Sequence, residues 1–348
     1  MKKHSKLIWS LITLGLAVLT ISVILLQSKE LTFGDLILAV RDAHKGWLAL
    51  ALASMLGIIV FEGEGLRCLL KNSGYPCSHR KGIKYAAADI YFSAITPSAS
   101  GGQPMSAFFM VTDGAPGGIV AGLLLINLIM YMIAIVVIGL FCFLLHPAMF
   151  MNFAIIGRIL IVFGYLVMIG FVVFFLFLMA NAPRIFSWGC AIIRWLYKKR
   201  FIKQPDYWKK RLETVINDYQ SCVTIARGKP LMLLTVFIFN LLHRLSQLSV
   251  SMLMYMATGG ELSKAGNVWL TQIYVIMGSN FIPIPGSMGI TDYLMIDGFQ
   301  SLMETHQAVQ LELLSRSVSF YCCTLLSALI TLAGFIIYKS RRDKRKHS

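Results

Sequence analysis

Six apolar windows, each near the ~20 residues that a bilayer's hydrocarbon core demands, decide what this 348-residue chain can become. They cover 7–26, 47–70, 117–145, 153–180, 231–257 and 309–338. Each reads as a spanning helix, because a helix satisfies its own backbone N–H and C=O groups where lipid cannot. Composition agrees: 57% of residues are hydrophobic, 14% are charged, and mean hydropathy is +0.71, outside the range of soluble globular domains. The fold class is therefore all-α integral membrane. The first window follows a Lys-rich start without a small-residue cleavage pattern, so residues 1–30 are expected to remain as an uncleaved anchor.

The net charge of +16 is concentrated in tails and connectors. Lys2, Lys3 and Lys6 precede the first span, Lys71, Arg80, Lys81 and Lys84 follow the second, Lys and Arg crowd 184–229, and the chain ends on the basic tail 339–348. Positive-inside bias places all of these, and both termini, in the cytoplasm of a multi-pass cell-membrane protein. No nucleic-acid partner is expected, because base-reading residues and interleaved aromatics need a folded basic domain. In 184–200, Trp188, Ile192, Trp195 and Leu196 mix with Arg194, Lys198 and Arg200 in the manner of an interfacial helix on anionic headgroups. Seven cysteines and seven histidines show no ligand spacing, and no phosphate-binding glycine loop is present. No metal, cofactor or catalytic residue is expected.

Parity then constrains the middle of each half. The 117–145 span must start inside, because 153–180 has to end at the basic 184 cluster; 85–114 therefore enters from the cytoplasm and returns to it. Its centre carries Pro97, Gly101, Gly102 and Pro104, residues that break helices. Arms of about a dozen residues reach ~17 Å, so this is a re-entrant hairpin. By the same count 267–304, broken at Pro283, Pro285, Gly286 and Gly289, starts and finishes outside. The expected organisation is one polytopic domain: the anchor, a first repeat 47–145 with hairpin 85–114, a connecting span 153–180, a basic connector 181–229, and an inverted second repeat 230–338 with hairpin 267–304. The alternative is eight or more tilted spans, with 267–304 crossing twice. Span, broken hairpin and span, repeated upside down, is a transporter layout.

The stretch Thr96-Pro97-Ser98-Ala99-Ser100-Gly101-Gly102, the stretch Pro285-Gly286-Ser287-Met288-Gly289 and the hydropathy layout resemble the transmembrane flippase-like domain of lysylphosphatidylglycerol synthases, the multiple peptide resistance factor family. The resemblance covers 7–338. It implies a membrane part that moves aminoacylated lipid to the outer leaflet and serves resistance to cationic peptides. Full-length members add a cytosolic domain that transfers lysine to phosphatidylglycerol; with ten residues after the last span, this chain is expected to lack it and not to be an enzyme by itself.

Each hairpin's second arm begins with unsatisfied N–H groups and a positive dipole end, which suit a phosphate. Ser98, Ser100, Gly101, Gly102 and Gln103 from one side, with Gly286, Ser287 and Gly289 from the other, are the candidate headgroup residues. Charges inside spans cost ~2.5 to 3.5 kcal/mol on insertion scales and are functional candidates by default. Arg67 and Arg244 are candidate phosphate contacts; Glu62, Glu64, Asp89 and Asp292 are candidates for a cationic headgroup or a coupling proton. Glu312 and Arg316 read as an interfacial ion pair, and Asn127, Asn240 and Gln247 as interhelical glue. The expected partners are anionic or aminoacylated phospholipids and, in an alternative reading as the membrane subunit of a lysyltransferase system, a separate soluble aminoacyl-lipid transferase docked on the basic connector. A channel or small-solute transporter is the second alternative.

Overall fold

A computed structural model describes residues 41–96, 100–198, 206–210, 212–214, 217, 224, 228–280 and 289–347. The anchor window 7–26 lies outside the described residues. Five described helices are long and apolar enough to cross a membrane, spanning Lys45–Asn72, Gly117–Leu145, Ile155–Phe177, Pro230–Ala257 and Thr305–Lys339. These match the last five expected windows to within a few residues, and no strand occurs among the described residues.

The first repeat consists of α1 (Lys45–Asn72), the broken hairpin α2 (His79–Ile95) and α3 (Gly102–Thr112), and the span α4 (Gly117–Leu145). A short helix α5 (Pro147–Met151) leads into the connecting span α6 (Ile155–Ala180), followed by α7 (Ala182–Lys198). The second repeat consists of α8 (Pro230–Ala257), the broken hairpin α9 (Leu262–Ser279) and α10 (Ile290–Phe299), and a last span made of α11 (Thr305–Arg316), a π-helical turn at Ser317–Cys322 and α12 (Cys323–His347). Helices α2 and α3 end and begin at Ile95 and Gly102, and α9 and α10 at Ser279 and Ile290, on either side of the Pro- and Gly-containing stretches.

Helices α1 and α8 form an antiparallel pair along their whole length. The His44 N–H donates to the Ala257 carbonyl (2.8 Å) at one end, Lys229 Nζ donates to the Asn72 carbonyl (2.6 Å) at the other, and the Ser54 hydroxyl donates to the Ser246 carbonyl (2.9 Å) between them. Small residues make this approach possible: a Cβ on Gly57 would lie 2.7 Å from Ser246 Oγ. Helix α2 crosses α1 backbone to backbone, since a Cβ on Gly82 would lie 2.5 Å from the Gly63 carbonyl oxygen. A buried hydrogen bond from Asn240 Nδ2 to Asn127 Oδ1 (3.0 Å) ties α8 to α4, the glue role expected of both residues.

The second hairpin is fastened to the connecting span. Asp297 Oδ2 accepts the Ala154 N–H at 3.0 Å, capping α6 from α10, and Gly278 lets α9 approach Ile161 closely. The Tyr274 hydroxyl reaches the Cys142 and His146 carbonyls at 3.2 and 3.1 Å, closing the end of α4. These contacts hold the second hairpin against α4 and α6.

Candidate functional site

The tip of the first hairpin is organised by side chains of α2. The Thr96 hydroxyl donates to the Phe92 carbonyl (2.5 Å) and accepts the Gly101 N–H (2.9 Å), folding the chain back. Gly102, the first residue of α3, is buried. A Cβ there would lie 2.1 Å from Asp89 Oδ1, 2.0 Å from Ser93 Oγ and 2.6 Å from the Asp89 carbonyl oxygen. The Asp89 carboxylate, which accepts the Ser93 hydroxyl at 3.0 Å, is therefore pressed against the amino end of α3. That end was expected to be open to phosphate; in this conformation the chain's own carboxylate covers it.

From Asp89 the charges continue across the molecule. Glu62 on α1 lies within electrostatic reach of both Asp89 and Arg244, and its Oε2 is 3.8 Å from His243 Nδ1. His243 Nδ1 is 2.9 Å from the Ile58 carbonyl, which accepts its N–H. Arg244 is 3% exposed. Its Nη1 donates to Gln247 Oε1, its guanidinium carbon stands 3.8 Å from the centroid of the Tyr131 ring, and its Nε has no hydrogen-bond partner among the described residues. The Tyr131 hydroxyl in turn donates to Asn280 Oδ1 (3.2 Å), at the carboxyl end of α9 where the second hairpin breaks.

Arg244 thus stands between the two breaks: Glu62 and Asp89 lead from it to the first, Tyr131 and Asn280 to the second. A void of about 10 Å³, lined by Ile135, Ile138, Leu248, Ile273, Ile276 and Arg244, adjoins it. This is room for about one water, so the space beside the guanidinium is closed to a phosphate here and must widen before one can reach it.

A second charge cluster forms at the other hairpin. Asp292 on α10 accepts the Gly289 N–H at Oδ2 (2.8 Å) and is 3.1 Å from Arg316 Nε through Oδ1; Arg316 also lies 4.0 Å from Glu312. Glu312 and Arg316, read from the sequence as an interfacial pair, are 4% and 6% exposed and face Asp292 beside the hairpin break. Four-residue spacing revealed the pair, but nothing in the sequence said which helix it would face.

The other expected residues divide. Ser98, Gly286 and Ser287 lie outside the described residues. Ser100 and Gly289 are exposed, while Gly101 and Gln103 are half-buried around the first break. Glu64 and Arg67 do pair (2.8 Å), but Glu64 also meets His79 Nδ1 (2.5 Å) at the start of α2. Two residues apart on a helix means nearly opposite faces, so Glu62 turns to Arg244 while Glu64 and Arg67 form a separate group. Sequence reasoning missed Tyr131 and Asn280, neither of which carries a charge or motif to mark it.

The family described as "Lysylphosphatidylglycerol synthase TM region" matches residues 12–327. A sequence comparison with curated proteins finds no match. With paired broken hairpins, charges buried between spans and a family match across nearly the whole chain, this multi-pass membrane protein belongs to the lysylphosphatidylglycerol synthase TM region family.

Proposed function

We propose that the protein passes the headgroup of an anionic or aminoacylated glycerophospholipid between the leaflets of the cell membrane, with both termini in the cytoplasm and the acyl tails remaining in lipid. Its family points to a membrane role in lipid modification, and translocation of the modified lipid is the part of that role a helical membrane domain can perform. The observation that carries the reading is the position of Arg244, a buried cation linked to both hairpin breaks. A buried cation of this kind binds phosphate through strong charge-assisted hydrogen bonds. Broken backbone inside a membrane is tolerated only where protein or a polar cavity surrounds it. Because the void beside Arg244 is small, transfer requires one repeat to rock against the other, opening the site to each side in turn.

Leaflet-resolved lipid analysis of cells lacking the gene separates this reading from that of a transferase subunit. Expected is an unchanged total of aminoacylated phosphatidylglycerol with less of it in the outer leaflet. Loss of the lipid from total extracts would overturn translocation in favour of synthesis.

A further inference from the structure

The Asp292, Glu312 and Arg316 cluster holds more negative than positive charge, and the headgroup reading does not use its protonation. Arg316 Nε is 3.1 Å from Asp292 Oδ1 and 4.0 Å from Glu312 Oε1. The Glu312 and Asp292 carboxyls therefore crowd a single guanidinium nitrogen. Two carboxylates held so close repel, and a proton on one of them relieves the repulsion. Arg316 cannot provide that proton, since a guanidinium stays charged, and it balances one negative charge only. Among the described residues, the Tyr321 hydroxyl on the π-helical turn also faces the three; it is neutral in its ordinary form and adds no positive charge. The side chain of Glu312 is 6% exposed and that of Asp292 is 24% exposed. The more buried Glu312 is therefore the carboxyl that holds the proton, and Asp292, at 3.1 Å, is the one nearest Arg316.

We propose that Glu312 and Asp292 form a proton-binding site at the second hairpin break, Glu312 holding a resident proton and Asp292 taking up a further one when a lipid phosphate displaces it from Arg316. The second half of this rests on the headgroup reading above. Charge stays balanced throughout. Before binding, Arg316 is neutralised by Asp292 and Glu312 is uncharged; after binding, Arg316 is neutralised by phosphate and the released Asp292 carries a proton drawn from the aqueous phase through its exposed edge. Phosphate and proton then bind together, and by reciprocity each strengthens the binding of the other. Such linkage would let a proton gradient drive lipid movement. A π-helical turn directly after Arg316 is a feature common at functional sites.

Two measurements on the full chain in phosphatidylcholine nanodiscs test this. Infrared difference spectra between wild type and Glu312→Gln at neutral pH are expected to lose a protonated-carboxyl C=O band; loss of an ionised-carboxylate band instead would show Glu312 charged and overturn the resident proton. Glutamine keeps the shape, and should Glu312→Gln fail to fold, Asp292→Asn is expected to lose a carboxylate band and shift the acid band. Separately, adding a short-chain phosphatidylglycerol in weakly buffered solution with a pH dye is expected to draw about one proton per lipid bound, and none with Asp292→Asn. Binding without proton uptake would overturn the coupling alone. Absence of any lipid binding would overturn the headgroup reading and the coupling with it, while the infrared result still decides the resident proton.

Discussion

The amino end of α3 shows how much one missing methyl can matter. Gly102 lets the Asp89 carboxylate and the Ser93 hydroxyl sit where a side chain would otherwise be, and the nearby Asp89 carbonyl is backbone that cannot rotate away. Gly102→Ala is therefore expected to lower stability by about 1–3 kcal/mol, the usual cost of overpacking, and to push Asp89 off the helix end. Thermal unfolding in detergent measures the first effect; an unchanged midpoint would show the contact to be loose. At this scale the sequence was partly informative. Buried charge is expensive in a membrane, and that flagged Glu62, Asp89, Asp292 and Arg244, all of which lie in the two clusters. It also flagged Arg67, which turns to Glu64 instead, because a charge by itself does not say which neighbour its face meets. Nor could Gly102 reveal in advance whether the space it leaves belongs to a ligand or to a carboxylate from the preceding helix.

At the scale of elements, the first hairpin is held at its base by a clasp. Asp113, which follows α3, accepts Lys84 Nζ at 2.8 Å and the Tyr85 hydroxyl at 2.6 Å, with Lys81 Nζ at 3.9 Å. Burial alone would raise the Asp113 carboxyl, but the hydrogen bonds from Lys84 and Tyr85 and the charges of Lys84 and Lys81 outweigh it and hold the group below its ordinary value. A carboxyl lowered in the folded state contributes stability above its unfolded pKa of about 3.9, and that contribution disappears as pH falls through the folded value. Asp113→Asn is accordingly expected to cost about 1.5–3 kcal/mol at neutral pH, the scale of a charge-assisted hydrogen bond, with the gap to wild type closing below about pH 4. Unfolding curves across that range check it, and a gap independent of pH would contradict the clasp. The spans were legible because a bilayer fixes their length. The hairpin arms were less so: 17 and 11 residues in one, 18 and 10 in the other, where near-equal arms were expected. Their first arms extend past the apolar stretch because the basic turn His79–Lys84 and the polar start at Leu262 remain helical, and hydropathy does not detect a helix that leaves the lipid.

For the whole molecule, the repeats meet along α1 and α8, and Arg244 lies between the hairpin breaks they carry. The order of the spans could be read from apolar length; the pairing of α1 with α8, which brings Glu62 and Asp89 towards Arg244, could not, since many helix pairings share one hydropathy profile. The expected inverted orientation is tested by labelling with membrane-impermeant thiol reagents after replacement of the native cysteines. Arg80→Cys is expected to react from the cytoplasmic side and Ser263→Cys from the outside; both are exposed positions, and reaction of the two from one face would exclude the topology.

The central claim is that headgroups cross by way of Arg244, and the most direct measurement is lipid movement by the purified protein in liposomes. The label is a fluorescent phosphatidylglycerol, read by quenching of whatever reaches the outer leaflet. Wild type is expected to bring inner-leaflet probe out well above the rate of empty vesicles, and Arg244→Ala, folded by thermal unfolding, to fall at least tenfold towards that baseline. Wild-type vesicles no faster than empty ones, or an Arg244→Ala protein as fast as wild type, would contradict it.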